Sequence, residues 1–274
     1  MSAPSPLIAA IRRELKRHAD PAKAPAMQAY MKSSMPYYGV QTPGLREIQR
    51  RLFAAHPLPD FETWRDTALA LWRGARHREE RYAAIGLTGF PAYDRFQTLA
   101  TLRMYEEMIV TGAWWDYVDG IASDRLGPLL RRYPAAMKRR MRQWSRGSDL
   151  WKRRAAILCQ LRFKAETDLE LLYDCIRPNL GDREFFMRKA IGWALRHYAW
   201  TDPREVVRYV REHADTLSPL SRREALKNVE RAPASAAAAP SPVRPSRGRS
   251  DLRSDRSSGP GGGGGRTPRA RRRG

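Results

Sequence analysis

The sequence predicts an all-α chain: a curved solenoid of two-helix repeats with a period of about 36 residues, followed by a disordered C-terminal tail. Three observations carry that expectation. Apolar residues recur at helical spacing from Leu7 onward while alternating strand patterns are missing. Helix start and stop signals recur along the chain. One short isoleucine-centred pattern returns at a nearly constant interval.

In chain order, the start signals are Ser5-Pro6 before LIAAIRREL, Thr42-Pro43 before GLREIQRRL, and Asp60 before FETWRDTALALW. Each sets a capping side chain, or a proline in the first turn where a missing N–H costs nothing, ahead of an amphipathic run. Gly74, Gly147 and Pro178 read as stops. The repeated pattern centres on Ile48 in GLREIQRRL, Ile85 in RYAAIGL, Ile121 in YVDGIAS, Ile157 in RRAAILCQL and Ile191 in RKAIGWAL, at intervals of 37, 36, 36 and 34 residues. That is the length of two helices and their turns, and self-similarity at this period is the mark of an α-solenoid. The partner helices between them are FETWRDTALALW, FQTLATLRMYEEMIV and LELLYDCI. Curvature of such a stack would place the repeated helices along one concave surface.

Composition changes near Arg231. Residues 231–274 run through ASAAAAPSPVRPSRGRS to GPGGGGGRTPRARRRG and hold almost no large apolar side chain, so they cannot offset the entropy of ordering. We expect a folded domain over 1–230, long enough to bury a sizeable core, and a disordered tail over 231–274. The chain carries a net charge of +22, and eleven arginines against two aspartates in the tail leave +13 to the folded part. A basic domain points to a polyanionic partner, nucleic acid first. The bland alternative is solubility charge or the arginine bias of a GC-rich genome. The tail's arginines would add nonspecific DNA affinity.

Cys159 and Cys175 form no CxxC pair, and His18, His56, His77, His197 and His213 are scattered, so neither a zinc site nor an iron–sulfur set is expected. The N-terminus lacks the look of a secretory signal, and no apolar run reaches the ~18 residues of a membrane span. The expected compartment is the cytoplasm, with no membrane, no metal and no cofactor.

Tryptophans sit in several repeated helices. For the pair Trp114-Trp115, neighbours about 100° apart on a helix, at least one tends to leave the core stripe. Trp115 and Asp119, four apart, share a helix face, whereas Val118 and Ile121 suit the buried side. The segment WWDYVD is thus an acidic-aromatic patch, with Asp116 beside Asp119, inside a very basic protein. Such carboxylates would repel a DNA backbone, so they signal chemistry or a structural pair, Asp119 meeting Arg153 or Arg154 of the next repeat. One repeat on, Trp151, Lys152, Arg153 and Arg154 lead into Ile157, and Lys189 and Trp193 follow as an i,i+4 pair. Guanidinium groups for phosphates interleaved with indole faces suit a DNA backbone.

The segments MQAYMKSSMPYYGVQTP, VTGAWWDYVDGIA, LWKRRAAILCQL, EFFMRKAIGWALRHYA and LSPLSRREALK, in that order, resemble the bacterial DNA alkylation repair glycosylases of the AlkD family. The resemblance runs from about Leu7 to Val229 and leaves out the tail. It implies a solenoid of HEAT-like repeats and a monomeric, monofunctional glycosylase acting on duplex DNA that contains alkylated purines. It also implies that Asp119 is the catalytic aspartate, that Trp115 and Trp193 contact the lesion's deoxyribose and backbone, and that Arg154 binds phosphate. Arg153, Lys152, Lys189, Lys32 and Trp114 complete the expected DNA-contact set.

The implied chemistry is coherent in itself. A purine alkylated at N7 or N3 is cationic and leaves without protonation, through an oxocarbenium-like sugar. The enzyme then needs a negative charge by that sugar and a positioned water, which one carboxylate supplies, with indole faces adding cation–π stabilisation. No lysine is suitably placed for a Schiff base. Two other classes stand beside this expectation: a noncatalytic solenoid binding distorted or branched DNA, in which Asp119 is dispensable, and a peptide-binding scaffold with only salt-driven DNA affinity.

Overall fold

The structure, a computed structural model, describes residues 5–229, and among these every regular element is a helix. The tail expected over 231–274 lies outside the described residues. In chain order the α-helices are α1 (Pro6–Arg17), α2 (Ala24–Met31), α3 (Thr42–Ala55), α4 (Phe61–Arg73), α5 (Arg78–Thr88), α6 (Leu102–Gly112) and α7 (Trp115–Ile121). There follow α8 (Gly127–Arg132), α9 (Pro134–Ser145), α10 (Leu150–Leu158), α11 (Leu169–Ile176), α12 (Phe185–Tyr198), α13 (Pro203–Glu212) and α14 (Pro219–Leu226). A π-helical turn, Ala122–Leu126, joins α7 to α8.

The starts follow from local chemistry. Asp60 caps α4 by accepting from the Thr63 N–H at 2.7 Å, and Asp149, Asp168, Asp202 and Ser218 do the same for α10, α11, α13 and α14. Ser5 and Thr42 work differently from expectation. Ser5 stands at the N-cap of α1 without a side-chain bond, and Thr42 is already inside α3, whose N-cap is Gln41. Both helices carry proline in the first turn, which removes one of the donors a cap would otherwise satisfy.

The repeated isoleucines mark one row of helices. Those centred on Ile48, Ile85, Ile121, Ile157 and Ile191 are α3, α5, α7, α10 and α12, and each packs on the next, with α1 and α14 extending the row at its ends. A second row (α4, α6, α9, α11, α13) packs onto the first, and one continuous apolar core lies between them. Four of the five isoleucines are buried. Ile85 is only partly so, because Ala84 and Leu87 take the core side of α5 and Ile85 lines a cavity against α3.

Side-chain bonds repeat with the same period. Arg73 bonds Glu107, Arg78 bonds Asp116, Arg125 bonds Thr88, Arg154 bonds Asp119, Tyr173 bonds Glu205 and Ser221 bonds the Arg188 carbonyl. Their sequence separations run from 32 to 38 residues, so polar side chains tie each repeat to its neighbour, as stacked two-helix units require.

The loop before α3 is held by a buried carboxylate. Glu79, fully buried, accepts the backbone N–H groups of Tyr38, Gly39 and Val40 at 3.0, 2.9 and 3.1 Å. Gly39 sits at φ 91, and a Cβ there would stand 2.1 Å from the Asp20 carbonyl oxygen. Gly39→Ala should therefore combine left-handed strain with a backbone clash. We expect a loss of about 3 kcal/mol in urea unfolding, and a loss under about 1 kcal/mol would show that the loop moves freely.

Candidate active site

The candidate site is built from α7, α10 and α12, consecutive members of the isoleucine row. Ala113, at φ 43, makes the sharp turn out of α6, so that Trp114 becomes the N-cap of α7 and Trp115 its first residue. Asp119 follows one turn later and is buried at 7% exposure. In α10, the Asp149 cap sets the register so that Trp151, Arg154 and Leu158 fall on the buried face.

That register brings Arg154 onto Asp119. The guanidinium Nε donates to one carboxylate oxygen at 2.7 Å and Nη2 to the other at 2.8 Å, a two-bond fork between side chains that are both under one-tenth exposed. The remaining Nη1 donates to the Phe186 carbonyl in the first turn of α12. Arg154 thus bonds α7 on one side and α12 on the other. Burial pushes the Asp119 carboxyl above its ordinary range, and the nearby Asp116 charge adds to this, while the bonds and charge of Arg154 pull the other way.

The other expected residues distribute as follows. Trp115 and Trp193 are partly buried and pack against the core, and the Trp193 ring meets His197 edge-on at 5.6 Å. Trp114 joins an aromatic cluster across all three helices, its ring centroid 6.2 Å from Trp151 and 5.4 Å from Phe186. Arg153, the other arginine considered for Asp119, turns instead to Asn179 and Asp182. Lys152 bonds Glu106 at 2.8 Å, and Lys189 pairs with Glu224 at 3.1 Å. Lys32, exposed, closes α2 in a left-handed conformation, and its neighbour Ser33 accepts at 3.2 Å from Arg78, the arginine that also holds Asp116 of α7.

Asp116 has a partner that sequence reasoning missed. Arg78 of the preceding repeat donates to both its oxygens at 2.7 Å, and Tyr82 donates to it at 2.5 Å, with Tyr37 behind Tyr82 at 2.8 Å. The two carboxylates of WWDYVD are therefore each neutralised by an arginine from a different neighbour, Asp116 from the repeat before and Asp119 from the repeat after. The signal was present in the spacing, since Arg78 precedes Asp116 by about one repeat length. Asp116 also borders a cavity of about 500 Å³ walled by Tyr30, Tyr37, Tyr82, Arg46 and Gln49.

Comparison with known proteins bears on this arrangement. The profile of a family described as DNA alkylation repair enzyme matches residues 11–229. A solved structure of a predicted DNA alkylation repair enzyme from Enterococcus faecalis is 30% identical, with a TM-score of 0.70, covering 78% of this chain and 98% of that one. The structure of smu.31 from Streptococcus mutans UA159, 18% identical with a TM-score of 0.51 over 67% of this chain and 92% of that one, shares the fold. No curated protein matches the chain.

Proposed function

This chain belongs to the DNA alkylation repair enzyme family, and from that premise we propose that it is a monofunctional DNA glycosylase. Its substrates on this reading are cationic purines, N3-alkyladenine and N7-alkylguanine, in duplex DNA, and its product is an abasic site. The observation that carries the reading is the buried Asp119 carboxylate, held from both oxygens by Arg154 and placed one helical turn from Trp115.

The alkylated base carries its own positive charge and departs without a proton donor. The glycosidic electron pair goes to the base and neutralises it. Water adds to C1′ of the oxocarbenium-like sugar and loses a proton to give the abasic site, and a fixed negative charge beside that sugar lowers the barrier. Arg154 orients the carboxylate before substrate arrives, so its position is not lost to reorganisation. The Trp115 and Trp193 faces stabilise the same cation. Arg154, with Nε and Nη2 committed to Asp119 and Nη1 to the Phe186 carbonyl, serves this mechanism by holding the carboxylate.

Incubation of excess protein with a duplex bearing a single N7-methylguanine, followed by alkaline cleavage at abasic sites, tests the proposal. Cleavage above the spontaneous rate is expected. Its absence with both N7-methylguanine and N3-methyladenine, for protein that still binds duplex, would sink the enzyme reading. A second reading is favoured by one specific observation: the Asp119–Arg154 fork is also a good staple between repeats. On that reading the protein binds distorted DNA without chemistry, and Asp119 matters for folding alone.

The pH dependence separates the two further. Only ionised Asp119 is active in the proposed mechanism, and its carboxyl is shifted upward. Excision, corrected for spontaneous depurination, should therefore fall on the acid side with a midpoint above the usual aspartate value of about 3.9. A rate independent of pH down to 4 would exclude Asp119 as the working anion.

A further inference from the structure

We propose that a second site, for one unpaired nucleotide of a DNA strand, lies in the cavity of about 520 Å³ at the C-terminal ends of α10 and α12. The inference rests on DNA as the partner and reaches beyond the chemistry at Asp119. Arg162, Lys164, His197, Tyr198, Trp200 and Thr201 stand in its wall, and among the described residues no carboxylate lines it.

Four of these side chains each suit one part of a nucleotide. Trp200, just past α12, is 46% exposed. A base stacked on an indole gains sequence-independent affinity. Within a duplex both faces of a base are already covered by its neighbours, so only an unpaired base can use Trp200. Arg162 engages Asp124 through Nε at 2.5 Å but keeps a side chain 68% exposed, and Lys164 is exposed beside it, two cations for the attached phosphate. His197 also stands in the wall; burial pushes its imidazole down while a bond to the Leu161 backbone pulls the other way, so the uncharged ring keeps one nitrogen as an acceptor for a base edge. The volume lies within the range of small-molecule sites.

Position ties the cavity to a strand rather than to a free mononucleotide. His197 lies four residues after Trp193 in α12, and Ile157, also in the wall, three after Arg154 in α10. The cavity therefore begins one helical turn from the candidate active site.

Fluorescence anisotropy on the full chain tests this with three probes: a paired duplex, the same duplex with one bulged adenosine, and dAMP as competitor. Wild type should bind the bulged duplex about tenfold more tightly than the paired one. Trp200→Ala should abolish that difference and Trp200→Phe keep most of it, with unchanged thermal melting and with paired-duplex affinity changed less than about twofold. Equal binding of both duplexes by wild type, or a bulge preference that survives Trp200→Ala, would overturn the inference while leaving the DNA reading intact. Binding to neither duplex would remove both. Binding of dAMP without a bulge preference would assign the cavity to a free nucleotide and overturn the strand assignment.

Discussion

Asp119→Asn is expected to lower single-turnover excision of N7-methylguanine by a factor of roughly 10²–10³, with duplex affinity changed only a few-fold. The magnitude follows from removing one preorganised electrostatic partner of a transition-state charge. Asparagine keeps the shape of the side chain and can still accept one bond from Arg154, so the α7–α10 junction survives in part. The negative charge does not. Because Arg154 is then left with a weaker partner in a buried setting, the rate must be normalised to the folded fraction, read from circular dichroism at the assay temperature. A normalised rate within about threefold of wild type would make Asp119 a structural residue and favour the noncatalytic reading.

The second large effect concerns folding. Arg154→Ala strands the Asp119 carboxylate in a site that is nine-tenths buried and deprives the Phe186 carbonyl of its donor. Breaking a buried ion pair from one side costs about 3–5 kcal/mol, and urea unfolding should show a loss in that range. The asymmetry gives the sharper check. An Asp119→Leu, Arg154→Leu double variant removes both charges and fills the space with apolar atoms, so it should recover most of the stability while remaining inactive. A single variant within 1 kcal/mol of wild type would mean that water or rearrangement satisfies Asp119 without Arg154. Arg154→Lys should fall between, keeping the charge but losing the fork.

The helical row was legible because its signal is repeated. One isoleucine among small and apolar neighbours says little, but five at 34–37 residues locate α3, α5, α7, α10 and α12. The partnership of Asp119 was legible only down to two candidates. Arg153 and Arg154 are about 100° apart on α10, and the choice depends on where the Asp149 cap starts the helix. The Arg78–Asp116 pair escaped because a run such as RHREERY reads as a solvated face, yet Arg78, Glu79 and Glu80 are all buried. Their burial is set by the loop at Tyr38–Val40 folding over α5, a contact across some 40 residues with no local pattern. Trp200 was lost among eight tryptophans, since its exposure depends on where α12 ends.

The tie of each repeat to its neighbours has a mechanical consequence. A chain so built behaves like a zipper with two open ends: thermal opening starts at α1 or α14 and travels inward one unit at a time. The Asp119–Arg154 fork closes the junction between the third and fourth of five isoleucine helices, so a breach from either side must first undo other junctions. Hydrogen exchange should accordingly be fastest in the outer units and slowest around the central carboxylate.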